Sequence, residues 1–250
     1  MIYLKFISRL LRFFKSLLTN NQLSNHKFQN KNQVTNANII LNLLKNKNFS
    51  PNYIVDAGCG YGEWTKKLLK IFPMSNFHLY DADQNNFEKL CILKKKYKNI
   101  NFKICLLSDD NKPYKFYNMG YGSSIYEEQT LHKRNVEEIS STTLDQELPD
   151  ELKNQTNNLI KLDVQGSELK VLEGLRETIN SFEIIILEVS IHNYNKDSPL
   201  FDKVMNYMNK KNYRLYDLFD LKRLGNNKSF LVQFDCVFVR NNSELFKVKF

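Results

Sequence analysis

No aspartate or glutamate occurs before Asp56, although eight lysines and arginines do. The formal charge of +9 therefore sits almost wholly in this first stretch, since 28 basic residues meet 27 acids beyond it. Cysteine is sparse and scattered: Cys59, Cys91, Cys105 and Cys236 form no C-x-x-C pair and pair with no histidine in spacing. That excludes a disulfide framework and a zinc site, so no metal is expected and a reducing, cytoplasmic compartment is. A Gly-Lys-Ser/Thr phosphate loop is absent too, which excludes that class of nucleotide site. The lysine run from Lys94 to Lys98 lacks an accompanying stripe of stacking aromatics. It reads as the solvated end of a helix over Phe87–Tyr97, and nucleic acid is excluded as a partner.

The N-terminal segment also lacks an uncharged apolar core. Lys5, Arg9, Arg12 and Lys15 interrupt the apolar positions of Met1–Leu18 too often for a bilayer span, and a small-residue cleavage site is missing. What remains is a basic amphipathic helix. Three roles stay open for it: peripheral contact with an anionic membrane at the inner face, cover for the domain's own apolar surface, or an organellar transit peptide. Residues 1–50 read as a basic helical extension and residues 51–250 as one α/β domain.

The stretch Tyr53-Ile54-Val55-Asp56-Ala57-Gly58-Cys59-Gly60-Tyr61-Gly62 organises that domain. A short apolar run is a strand buried on both faces, and the alternating glycines form a tight turn that a ligand approaches closely. From Glu63, the residues Trp64, Leu68, Ile71 and Phe72 share one helical face that ends before Pro73. The unit strand, glycine loop, helix holds a nucleotide-like ligand at the carboxyl edge of a parallel sheet. Its spacing is G-x-G-x-G, whereas the dinucleotide fingerprint needs a glycine where Glu63 stands. S-adenosyl-L-methionine (SAM), which carries no phosphate, fits better. Asp56, Gly58, Gly60 and Gly62 are the cofactor residues of this turn. The next strand, Phe77–Tyr80, ends at Asp81, placed to accept from the ribose hydroxyls, with Asp83 as the cap of the helix that follows.

Further strands follow at Asn101–Leu107, Lys112–Tyr117, Asn158–Asp163 and Phe182–Leu187. Ser108 and Asp109, after the first of these, are expected at the adenine edge, and Gly120–Ser124 is a loop of the kind that carries substrate contacts. A helix over Val34–Asn46 should turn Ile39, Ile40, Leu43 and Leu44 inward over the cofactor side of the sheet. After a helix over Ser198–Lys211, Tyr213–Leu218 and Phe230–Arg240 have only a Gly/Asn turn region between them, so they form an antiparallel hairpin.

The most specific segment is Leu159-Ile160-Lys161-Leu162-Asp163-Val164-Gln165-Gly166-Ser167-Glu168, followed by Val171-Leu172-Glu173-Gly174. It resembles the KIDVEG-x-E…VL-x-G signature of FkbM-family SAM-dependent methyltransferases, and Thr143-Leu144-Asp145 and Ile185-Ile186-Leu187-Glu188-Val189 match in order and spacing. The resemblance covers roughly Tyr53 to Arg240. It implies a class I methyltransferase fold, a Rossmann-like, mostly parallel seven-stranded sheet with an antiparallel last strand. It also implies O-methylation of a hydroxyl on a sugar, glycan, lipid-linked or secondary-metabolite acceptor. Three positions depart from the family: Gly58-Cys59-Gly60 stands for Gly-Ala-Asn, Asp81-Ala82 for Glu-Pro, and Glu188-Val189-Ser190 for Glu-Val-His, with His192 two residues on.

Methyl transfer to an alcohol needs alignment and a group that takes the hydroxyl proton. Asp163, Glu168, Glu188 and His192 are the candidates, all expected at the carboxyl edge of the sheet. Three of them have a quieter alternative: Asp163 can bind the methionine end of the cofactor, Glu168 can be a first-turn helix acid, and His192 can lie in a surface loop. A NAD-linked oxidoreductase and a non-catalytic membrane-surface adaptor are the rival functions.

Overall fold

The apolar runs of the sequence become strands because most are rich in β-branched or aromatic residues and are flanked by turn formers. The computed structural model describes residues 36–130, 132–193 and 195–247. The chain divides into two units, 1–33 and 34–250. The first, with the expected helix of Met1–Leu18, lies outside the described residues. The described part begins with α1 (Ala37–Asn46), β1 (Tyr53–Ala57), α2 (Glu63–Ile71), β2 (Asn76–Asp81), α3 (Phe87–Lys96) and β3 (Ile100–Ile104). Then come β4 (Leu106–Leu107), β5 (Pro113–Asn118), β6 (Asn135–Thr142), α4 (Leu144–Glu147), α5 (Asp150–Lys153) and β7 (Asn158–Leu162). The last elements are α6 (Glu168–Glu173), β8 (Phe182–Ser190), α7 (Phe201–Lys210), β9 (Tyr213–Leu224) and β10 (Phe230–Arg240).

Seven strands form one sheet in the order β3-β2-β1-β7-β8-β10-β9. The first five are parallel, and β10 runs antiparallel to both β8 and β9. This is the α/β class I methyltransferase arrangement. The strand order reverses between β1 and β7, so the carboxyl ends of these two strands flank the crevice in which such sheets bind ligands. Because side chains alternate across a strand, Ile54, Leu159, Ile184 and Val237 pack with α1 and α2 on one face. Val55, Ile160, Ile185 and Phe238 pack with the helices from α4 to α7 on the other. The first face turns charged near its carboxyl edge: Asp56 is paired in register with Lys161, and Glu188 with Asp235.

Three expectations are corrected. In α1 the inward residues are Ala37, Ile40, Leu41 and Leu44, while Leu43 is about half exposed. The helix packs against α2 and β9 and contributes nothing to the ligand crevice. The strand expected over Asn101–Leu107 breaks at Cys105, so that Leu106 and Leu107 leave the main sheet and pair with Ser141 and Thr142. A second sheet, β4-β6-β5, results. Its middle strand β6 has no counterpart among the sequence-based expectations, since Asn135-Val136-Glu137-Glu138 is polar and exposed and shows no alternation.

Candidate functional site

At the carboxyl ends of β1, β2 and β7 lies a cavity of about 710 Å³. The turn after β1 forms its floor, and the three glycines of that turn serve different ends. Gly58 (φ +76°) runs against β7: a Cβ there would overlap the carbonyl oxygen of Asp163. Gly60 (φ +53°) stands in the cavity wall, and a Cβ on it would meet no atom within 4 Å. Gly62 is a packing position outside the cavity wall, since its Cβ would come within 2.5 Å of Leu93. Asp56 is buried and accepts from the Thr65 hydroxyl at 2.5 Å. Burial pushes its carboxyl up to about 6 against the opposing pull of Thr65 and Lys161.

Asp81 is not free, as the sequence suggested. Its Oδ2 accepts from Gly60 N at 2.7 Å, and its Oδ1 from Asp83 N at 2.9 Å and Asn86 Nδ2 at 3.0 Å. Its carboxylate still lines the cavity, with one acceptor position left, on Oδ2. Asp83 is the cap, accepting from Asn85 N at 3.0 Å. Ser108 and Asp109 lie outside the wall: the Ser108 hydroxyl donates to Asp109, which also takes Tyr114 and Lys170. The wall that was assigned to them is built instead from Cys105, Leu106, Leu107 and Phe116, an apolar slot produced by the break at Cys105. The loop Gly120–Ile125 closes another side, where the Tyr121 hydroxyl contacts that of Tyr61.

Of the four candidates for the base, only Asp163 lines the cavity. Its side chain is 32 % exposed; Oδ2 accepts from Lys161 Nζ at 2.7 Å and Oδ1 from Gln165 Nε2 at 2.8 Å. Burial works against its charge, but the Lys161 ammonium and its hydrogen bond outweigh that and hold the carboxyl below its ordinary range. Lys161 is 3 % exposed, lies under the Trp64 ring at 5.6 Å and is 3.6 Å from Asp235. Burial works against its charge, yet Asp163, Asp235 and Glu188 outweigh that and keep it protonated.

Glu168 is withdrawn from the cavity. Its carboxylate accepts from Val164 N at 3.0 Å and Gly166 N at 3.1 Å, clamping the turn after β7, and burial raises it to about 8. Glu188 is buried one step behind the wall, where it takes Gln165 Nε2 at 2.6 Å and Lys222 Nζ; burial, then the Asp163 charge, raises it to about 7. His192 is exposed and outside the wall. Lys161, Gln165, Trp64 and Lys222 belong to the site without having been singled out. Lys161 was detectable in principle, as a cation in the middle of an apolar central strand.

The sequence profile described as "Methyltransferase FkbM domain" matches residues 46–215. No curated protein matches the chain. Among solved structures, the methyltransferase FkbM from Methylobacillus flagellatus KT is 17 % identical with a TM-score of 0.47, over 74 % of this chain and 43 % of that one. This chain thus spans less than half the length of that relative. The precorrin-6y C5,15-methyltransferase from Geobacter metallireducens GS-15 is 10 % identical, TM-score 0.46, over 84 % and 92 % of the two chains. An rRNA methylase from Streptococcus thermophilus is 11 % identical, TM-score 0.46, over 81 % and 94 %. Similarities at this level carry no argument about acceptor or chemistry. The profile match covers more than half of the chain and includes the segment Leu159–Gly174, and on that ground the chain belongs to the FkbM family of SAM-dependent methyltransferases.

Proposed function

We propose that this chain methylates a hydroxyl group of a sugar, glycan, lipid-linked or secondary-metabolite acceptor, with SAM as donor. The observation that carries this reading is Asp163: a carboxylate in the cavity wall, kept ionised by a buried lysine. The residues present fit the donor. Asp81 offers the open position of Oδ2 to a ribose hydroxyl, Gly60 allows close approach to the backbone, and the slot of Cys105, Leu106, Leu107 and Phe116 suits an apolar ring. SAM, when bound, would supply a sulfonium-activated methyl carbon, which the alcohol oxygen attacks in line as the thioether sulfur leaves.

The protein's own work is to hold and deprotonate the alcohol. Asp163 orients the hydroxyl by accepting its hydrogen bond and takes the proton at its carboxylate. Lys161 and Gln165 fix the carboxylate's rotamer, so that little reorganisation is required during the reaction. Glu188 and Lys222, linked through Gln165, support this arrangement from behind.

Replacing Asp81 tests the donor site. Asp81→Asn keeps one oxygen for Gly60 N–H but removes the charge that strengthens the ribose hydrogen bond. At roughly 1.5–3 kcal/mol for a hydrogen bond to a charged group, SAM affinity should fall about tenfold to a hundredfold. Calorimetric titration of the parent and the variant reads this directly, with NAD as the control ligand. Unchanged affinity in the folded variant would remove the ribose assignment, and NAD binding in place of SAM would overturn the methyltransferase reading.

A further inference from the structure

The β9–β10 hairpin runs on beyond the body of the sheet. Val232 to Val239 of β10 are buried, but every residue from Leu221 to Phe230 is exposed. Three of these are large and apolar: Leu224 is 65 % exposed, Phe230 60 % and Leu221 39 %. Leu224 and Phe230 are direct cross-strand partners, so their side chains leave the same face as an adjacent pair. Gly225 (φ +83°) lets the chain reverse beneath the Phe230 ring, where a Cβ would come within 2.8 Å of it.

The charge around the pair is of one sign. Lys222, Arg223 and Lys228 lie in the tip, and no acid occurs between Asp220 and Asp235. The chain beyond residue 55 is otherwise near balance, so this is a local concentration. Lys222 and Leu224, two residues apart on one strand, stand on the same face. Lys222 lines the cavity and donates to Glu188. The apolar pair therefore continues the rim on which the cavity opens. Single exposed apolar residues are ordinary on a protein surface, whereas an apolar pair at a protruding turn, ringed by bases, matches the chemistry of an interface between headgroups and acyl chains.

We infer that the β9–β10 tip docks on an anionic membrane surface. Leu224 and Phe230 enter the headgroup region, Arg223 and Lys228 pair with acidic headgroups, and the Lys222 side of the cavity faces the lipid. A convex turn with a single aromatic ring gives nucleic acid no platform on which successive bases could stack. The inference goes beyond the methyl-transfer reading and does not depend on it, because docking needs neither donor nor acceptor.

The test is co-sedimentation of the full chain with vesicles of phosphatidylcholine alone and of phosphatidylcholine mixed with phosphatidylglycerol. The parent should sediment with the mixed vesicles and be released by salt. Leu224→Ser with Phe230→Ser should weaken this binding at least tenfold. Arg223→Gln with Lys228→Gln should weaken it by roughly fivefold per base and reduce the preference for anionic lipid. SAM affinity and thermal midpoint, read on the same samples, should match the parent, because none of the four residues lines the cavity or the core. Equal sedimentation of parent and both variants would overturn the inference, since the N-terminal segment is common to all three. So would a parent that binds no vesicle, or tip variants that lose binding to an oligonucleotide and not to lipid.

Discussion

Gly58→Ala should cost the protein its fold, and Gly60→Ala only its ligand. The two glycines are two residues apart in one turn and both have positive φ, +76° and +53°. Their surroundings differ. A Cβ on Gly58 would stand 2.7 Å from the carbonyl carbon of Asp163, closer still to its oxygen, and 3.3 Å from Val164 Cγ1. The Asp163 carbonyl cannot yield cheaply, because Asp163 N donates to Ala57 O at 2.9 Å and ties the same segment to β1. The left-handed conformation adds roughly 1–2 kcal/mol and the overpacking about 1–3 kcal/mol. Against a total stability of about 5–15 kcal/mol, that is enough to depress the thermal midpoint steeply or to prevent accumulation. Gly60→Ala carries only the conformational cost and should remain folded, with SAM affinity at least tenfold weaker by calorimetry. A Gly58→Ala protein as stable as the parent would show that the packing of this turn on β7 is misread.

Glu168→Gln should stabilise the protein at pH 8 and do little at pH 5. Burial raises the Glu168 carboxyl from 4.5 to about 8. The native state therefore holds a proton that the unfolded chain releases above pH 4.5, and stability falls as pH rises from there toward 8. Over that window the loss is of the order of 5 kcal/mol, at about 1.4 kcal/mol per pH unit. Glutamine keeps an oxygen for Val164 N and Gly166 N and cannot ionise. Asp56 and Asp235 near 6 and Glu188 near 7 slope in the same direction, so the parent should still lose stability with pH, but the variant less steeply. Asp163 slopes the other way, its depressed carboxyl giving stability that is lost only as pH falls below the usual carboxylate range, outside this window. Chemical denaturation at the two pH values measures the difference. A parallel shift of the variant at both would mean that Glu168 is ionised throughout. SAM binding should persist in the variant, since the side chain does not reach the cavity.

Most of the strands could be read from the sequence because glycine, proline and acids cut the apolar runs at their ends. Asp56, Asp81, Asp163 and Glu188 mark the carboxyl edge by that punctuation alone. What the pattern could not tell is which acid faces the cavity, because that depends on where nearby backbone N–H groups and cations point. Glu168 is captured by the amides of its own turn, and Glu188 by Lys222, a residue far along the chain. Asp109 is turned away by Tyr114 and Lys170. The strand β6 was illegible for a different reason: its pairing with β4 and β5 leaves much of it in solvent, so burial wrote no period into its residues.

The break at Cys105 divides the cavity between two structural authorities. The donor side is held by the turn after β1 and by Asp81, on strands whose register is locked from both sides. The loop Gly120–Ile125 lies farther along the excursion that leaves the main sheet after β3 and returns by way of β6, beyond the Leu106, Leu107 and Phe116 slot proposed for the donor's ring. Insertions or deletions in that loop alter the shape of the cavity without moving a single main-sheet hydrogen bond. On the proposed reading, a lineage exchanges its acceptor through this loop while the donor slot is kept, and homologues should differ most in length between Asn118 and Asn135.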